Sequence, residues 1–425
     1  MSALPTRAGL DAARARAESI RRQQIAWQEE LDWRCYRLYG LLTGDTDYEY
    51  PNPPEINLGE RAFEIVLARR MAAGEETTWF TRHGSTPMTE IPNHWPAEYR
   101  RVVESRIALI ESDKYIGLIE RPEYKRRWAA TPWAEQEQAA LKGWLLDRLE
   151  TADYWAGGND GSVGRVSPQG VTRQDAGTAA DASGYAALTR PTEPALTSAN
   201  RLADRARRDP EFMQIAELYA GRADFEPSAL VAALVAAESV PFLPVLRYTE
   251  SGLRKREQWE STWDLQRRED AGEPVGEIPV PPKYKSADFL KTDCWRLRGG
   301  LDVPKERWVS YPGAERGADG SLVIAWAGWN HLQQATALAA YYLDMKEGEG
   351  WAPARLQPLL AGLLELTPWL KQWHNDYDAE HATRMGDYFA GFLADEARAL
   401  GLTLDDLRAW KPVAVATRRG RRKAG

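Results

Sequence analysis

Only two of the 425 residues are cysteine, Cys35 and Cys294, and only five are histidine. Two thiols are too few for a disulfide framework or a four-ligand structural zinc site, so a reducing cytoplasm is the expected compartment. No apolar run approaches the roughly 18–20 residues that a membrane span requires. The N-terminus, with Arg7, Arg14 and Arg16 among alanines, lacks the apolar core of a secretory signal. No membrane partner is expected. Positive charge is also in deficit: the formal net charge of −7 is unlike that of a generic nucleic-acid binder.

The acid is unevenly placed. Residues 308–410 hold fourteen acidic and seven basic residues, whereas residues 247–307 hold thirteen basic and twelve acidic. The chain is long enough for two or three domains, and its eighteen tryptophans predict packed aromatic layers rather than disorder. Leu10, Ala13, Ala17, Ile20, Ile25, Trp27, Leu31, Tyr36 and Leu38 recur at helical spacing, predicting a long helix that either runs unbroken to Gly40 or breaks near Ser19. Further helices are expected over 58–73, 99–111, 133–154, 198–219, 227–238, 330–347, 353–373 and 384–400, with a short element over 114–119 and short strands at 77–80 and 321–328. Residues 156–195 are rich in Gly, Ala, Ser, Thr, Asp and Pro, as in a linker. The expectation is a mainly α fold with short β elements, of α+β class and several domains. These are a helical spacer arm (1–45), an α-rich domain (46–155), a flexible linker (156–197), a basic and aromatic region (198–311), and an acidic, Trp-rich helical domain with a basic tail (312–425).

Residues 251–311 interleave cations and aromatics most densely. Arg254, Lys255 and Arg256 form a run, Trp259 and Trp263 make one stripe on a helix, and Arg267 and Arg268 follow. Beyond Gly272 the prolines at 279, 281 and 282 impose extended backbone. Lys283, Lys285, Lys291, Arg296 and Arg298 follow on irregular or strand-like segments, with Tyr284, Phe289 and Trp295 between them. A basic helix beside a basic, aromatic arm suits a phosphate backbone with bases to stack against. The competing interpretation makes the tryptophans core and the charges a solvated face. Lys125, Arg126 and Arg127 beside Trp128 form a second, smaller cluster with the same two interpretations.

Other motifs are weaker. Asn52-Pro53-Pro54 lacks the following aromatic ring that stacks on a flipped base in amino-methyltransferases, since Glu55 stands there. His83 and His94 have no third ligand at metal spacing, and His374, Asp376, Asp378 and His381 are ligand types on one loop without a distant carboxylate motif.

The consecutive segments RYTESGLRKREQWESTWDLQRREDAGE, IPVPPKYKSADFLKTDCWRLRGGLDVPKERWVSYP and GSLVIAWAGWNHLQQATALAAYY resemble the C-terminal region of the PglX family. So do EELDWRCYRLYGL and PNPPEINLGERAFEIVLARR, and the similarity extends over nearly the whole chain. These are the adenine-specific DNA methyltransferases of bacteriophage-exclusion (BREX, phage growth limitation) systems, and the type 2 form is the most similar. The resemblance implies a C-terminal fragment or split subunit serving DNA recognition or assembly, with double-stranded DNA and a methyltransferase domain or other BREX proteins as partners. The family's Gly-rich cofactor motif and Asn-Pro-Pro-aromatic motif are both missing, so no Rossmann methyltransferase core and no catalytic residue is expected. S-adenosylmethionine would belong to the absent catalytic part. Arg254, Lys255, Arg256, Arg267 and Arg268 become the candidate phosphate contacts, and Lys283, Lys285, Arg296 and Arg298 the candidate groove contacts. The alternative is an interaction subunit that docks other phage-exclusion proteins without touching DNA.

Overall fold

A computed structural model describes residues 4–42, 46, 48, 52–155, 194–299, 304–379 and 382–412. The expected linker, apart from 194–197, and the basic tail lie outside these residues. The chain divides into two compact units, residues 1–142 and 143–425, and each is mainly helical. No helix among the described residues is long and apolar enough to cross a membrane.

In the first unit, helix α1 (Arg7–Leu38) starts at Thr6, whose side chain accepts from the Gly9 amide at 3.1 Å, and stops before Gly40 at φ +71°. It runs unbroken past Ser19, whose hydroxyl instead donates to Glu55. Ile25, Ala26 and Trp33 bury one face of α1 in a core shared with α2 (Ala62–Ala72) and α3 (Ala97–Ser112). Helix α4 (Lys114–Ile119) follows, N-capped by Asp113. The strand expected at 77–80 is instead the start of a short helix, Trp79–His83. Trp79 and Phe80 are adjacent and both buried, which the two-residue alternation of a one-sided strand does not allow. The His83 Nδ1 lies 2.7 Å from the Trp79 carbonyl oxygen.

This core holds an unusual set of buried charges. Arg61 pairs with Glu64 at 2.9 Å, Arg106 grips Glu30 through both terminal nitrogens at 2.6 and 2.8 Å, and Lys125 reaches Glu120 at 2.6 Å and Asp32 at 2.8 Å. Burial alone would lift the Glu64 carboxyl, but Arg61, the Trp79 indole and the Gly59 amide hold it below the ordinary range. Glu29 sits among these groups, with Oε1 accepting from the Trp33 indole at 3.2 Å and Oε2 without a partner among the described residues. Burial pushes its carboxyl up, and the nearby Lys125 ammonium does not offset that. A carboxyl whose pKa is raised on folding makes the protein less stable as pH rises above about 4.3, the unfolded value. Glu29→Gln is therefore expected to gain on the native protein between about pH 5 and about pH 8 in paired urea titrations. A pH-independent difference would contradict a raised Glu29 pKa.

The second unit is built on a four-stranded sheet in the order β1 (Thr197–Ser198), β4 (Val323–Trp326), β3 (Trp308–Ser310), β2 (Ser239–Pro241). Strands β2 and β3 pair in parallel, Ser239 opposite Trp308, and the other pairs are antiparallel. The sheet is covered on both faces: Trp308, Ile324 and Ala325 are fully buried, which explains why the strand near 323 reads as a continuous apolar run rather than an alternation. Helix α5 (Ala199–Arg207) follows β1, and Pro210 at the first turn of α6 (Pro210–Ala220) divides the stretch expected as one helix. Helix α7 (Pro227–Glu238), apolar nearly all round in sequence, buries one face through Val231, Leu234 and Val235 and exposes Ala233 and Ala236. Helix α8 (Glu250–Asp270) precedes β3, and α9 (His331–Leu343), α10 (Pro353–Trp373) and α11 (Met385–Ala399) follow β4 and pack on one another.

Candidate nucleic-acid interface

Helix α8 carries the first half of the cation and aromatic stretch. After Asp270 the chain turns at Gly272, φ +82°, and the proline segment runs back antiparallel along the helix. Prolines donate no backbone hydrogen bond, so the helix holds the arm by its carbonyls. Thr262 donates to the Pro279 carbonyl at 3.3 Å, the Trp259 indole to that of Pro282 at 3.0 Å, and Lys255 to that of Lys283 at 3.0 Å. Asp288 closes the arm: it accepts from Lys255 at 2.6 Å, from the Ser251 hydroxyl at 2.8 Å and from the Lys285 amide at 2.6 Å. Burial would raise the Asp288 carboxyl, but these donors hold it below the usual carboxylate range. Gly252 lies under this closure, where a Cβ would stand 2.2 Å from the Asp288 carbonyl oxygen.

The opposite flank of α8 packs on α10. Trp263 meets Trp369 edge-on at 5.5 Å, the Arg267 guanidinium lies 5.0 Å from the centre of the Trp369 ring and donates to Gln372 at 2.9 Å, and Arg256 pairs with Glu365. Burial would lower the Arg256 pKa, but Glu365 and Glu260 raise it. Extended backbone ends near Lys285. Beyond it, Thr292–Cys294 and Trp295–Gly299 form helical turns, so Arg296 and Arg298 stand on helix rather than strand. Arg296 donates to the Ala237 carbonyl at 2.5 Å, and Arg298 pairs with Glu306.

The nine candidates thus divide. Lys255, Arg256, Arg267, Arg296 and Arg298 are engaged by carboxylates, carbonyls or rings of their own unit, and Arg268 pairs with Glu273 at 2.7 Å on the surface. Arg254, Lys283 and Lys285 are exposed with no side-chain partner among the described residues. Lys291 shares that state. The arm's aromatics do not offer stacking platforms, because Tyr284 and Trp295 pack on the core cluster of Val240, Tyr248, Phe289, Cys294 and Leu297. What the surface presents is a small set of free cations, suited to phosphates rather than to unstacked bases. The partners Glu365, Trp369, Gln372 and Asp288 lay beyond the reach of sequence spacing. Local signals were carried by Glu260, four residues after Arg256, by Asp264, three before Arg267, and by Asp293, three before Arg296.

The other motifs are structural. The Pro53 carbonyl accepts from Gln23 at 3.1 Å, Glu55 accepts from Ser19 and Arg22, and the Trp95 indole donates to the Glu55 carbonyl at 3.1 Å. The segment is thereby tied to α1 through the Pro53 carbonyl and the Glu55 carboxylate that follows it. His374 lies 6.1 Å from His331, whose ring stacks on Trp369 at 5.5 Å, and burial with the neighbouring His374 lowers the His331 pKa. His381 lies outside the described residues, and among those described no group of three His, Cys, Asp or Glu side chains is placed to hold a metal ion. Lys125 of the second basic cluster is buried, while Arg126 stacks its guanidinium 4.2 Å from the centre of the Trp128 ring.

The family described as a domain of unknown function, DUF7008, matches residues 24–423. The chain belongs to that family. This DUF7008 chain is also 47% identical, over 98% of its length, to the adenine-specific methyltransferase PglX of Streptomyces coelicolor. It spans about a third of that relative, 32% of its length. The resemblance carried by the segments around residues 29–70 and 247–342 is thereby established across the chain. No solved structure matches the DUF7008 chain.

Proposed function

We propose that this chain is the DNA-recognition and assembly part of a BREX adenine-specific methyltransferase, as a fragment or split subunit, and is inactive alone. The observation that carries the reading is the 47% identity sustained over 98% of the chain while covering only 32% of PglX. S-adenosylmethionine and the methyl transfer would belong to the catalytic portion, and double-stranded cytoplasmic DNA would be the ligand of this part. Arg254, Lys283 and Lys285 are the first candidates for phosphate contact, because they are exposed and free. Lys255, Arg256 and Arg267 support the reading indirectly, by fixing the helix and arm that display those three.

Fluorescence anisotropy of the chain with duplex DNA across a salt series tests it. Each phosphate contact contributes a slope of about −0.9 in log affinity against log salt, so charge reversal of Arg254, Lys283 and Lys285 together should flatten the slope by about 2.7. An unchanged slope removes these three residues from the interface. The second reading is an assembly subunit that never touches DNA. It is favoured by the far end of α8, where Asp264, Glu269, Asp270, Glu273 and Glu277 are exposed and the neighbouring cations are engaged, Arg268 by Glu273 and Arg267 by Trp369, Gln372 and Asp264. Absence of binding at low salt would select it.

A further inference from the structure

Helix α1 has a second face that the first unit's core does not use. From residue 20 to residue 38 the positions alternate by four and three residues: Ile20, Gln24, Trp27, Leu31, Arg34 and Leu38. All six are exposed, and the four large apolar ones leave 48%, 47%, 54% and 76% of their surface open. An alternation of this kind is the seam of a two-helix coiled coil, with Gln24 and Arg34 as the polar interruptions that fix register. Ile25, Ala26 and Trp33, which point into the core, occupy the opposite side, so both faces of one helix are apolar. Exposed apolar residues scattered singly need no explanation, but a continuous row of them on one helix does.

The flanks of the row say what covers it. Of the eight flanking positions between 14 and 37, four are arginine, Arg14, Arg16, Arg21 and Arg37, and one is acidic. That acid, Glu30, is already held by Arg106 at 2.6 Å. A second copy of α1, parallel or antiparallel, would set arginine against arginine. We propose that this seam docks an amphipathic helix of a partner polypeptide whose own flanking positions are acidic. The inference rests on the assembly half of the function proposed above. A membrane surface fits less well, because the stripe is only two columns wide and the helix's other side is packed in protein rather than facing water.

The test uses the full chain and two synthetic 28-residue helices with leucine at every seam position, one flanked by glutamate and one by lysine. The glutamate peptide is expected to bind at least about tenfold more tightly at low salt, from several charge pairs acting together. Trp27→Glu with Leu31→Glu should abolish that binding without lowering the melting temperature, since both side chains are exposed. Arg16→Glu with Arg21→Glu should erase the preference for the glutamate peptide, because it sets two flanking acids against the two arginines left, Arg14 and Arg37. Equal affinity for the two peptides, or binding untouched by the Trp27 and Leu31 changes, overturns the proposal. So does dimerisation of the chain, or adsorption to phosphatidylglycerol vesicles, that is lost in the same double variant. The DNA salt slope separates the two readings: it should be unaffected by the Trp27 and Leu31 changes, so either reading can fail alone.

Discussion

Replacing Lys125 with methionine is expected to destabilise the protein by about 3–5 kcal/mol, the cost of stranding buried charge. The Lys125 side chain is 2% exposed and its ammonium lies 2.6 Å from Glu120 and 2.8 Å from Asp32. Its Nζ also lies 5.5 Å from the centre of the Phe63 ring and 5.8 Å from that of Tyr36. Methionine keeps most of the volume, so the loss reports charge rather than packing. Burial would depress the ammonium pKa, yet the Glu120 and Asp32 carboxylates beside it raise it, which means that the lysine is the group these two rely on. Without it Glu120, itself fully buried and with Oε2 already unpartnered, would keep only the Tyr36 hydroxyl at 2.6 Å. The midpoint of urea unfolding measures the effect, and adding Glu120→Gln to the variant should recover part of the loss. A change below about 1 kcal/mol, typical of a surface lysine, would contradict the network.

Gly252→Val should lower stability and, under the proposed function, weaken DNA binding as well. A Cβ at this position would stand 2.2 Å from the Asp288 carbonyl oxygen and 2.9 Å from the Tyr248 Cβ, so backbone must move rather than a flexible side-chain end. Overpacking of this kind costs about 1–3 kcal/mol. The displaced element is the 286–288 turn that closes the proline arm through Lys255, Ser251 and the Lys285 amide. Lys283 and Lys285 would lose their fixed position, and the anisotropy titration should show weaker binding. Gly143→Ala is the control, because a Cβ there meets nothing within 4 Å and the helix Trp133–Leu149 should gain roughly 0.5–1 kcal/mol. Equal effects of the two substitutions would rule out the close approach as the cause.

The secondary structure was legible where one period dominates. Helices α1, α9 and α10 follow their apolar spacing to within a few residues, and the run Val323–Trp326 is a strand because both its faces are covered. The site was legible as a location rather than as a set of contacts. Spacing reveals neighbours three or four residues apart, such as Arg256 and Glu260, but not Glu365 or Trp369 about a hundred positions away on α10. Of the two interpretations of the 251–311 stretch, the packed one holds for Trp259 and Trp263, while the cations divide between internal pairs and free ends. Lys125 shows the same limit from the other side, since a basic run beside a tryptophan gave no hint that its first lysine neutralises Asp32 of α1.

The strand order also has a consequence for synthesis of the chain. Ser198 pairs with Val323 and Thr197 with Ile324, so β1 emerges 125 to 127 positions before its partners, while β2 waits for β3. At about 5–20 residues per second, β1 stands alone on the ribosome for roughly 6–25 s. Helices α5–α7 close through local contacts in that interval, but the sheet is assembled only when Val323–Trp326 arrives to join β1 to β3.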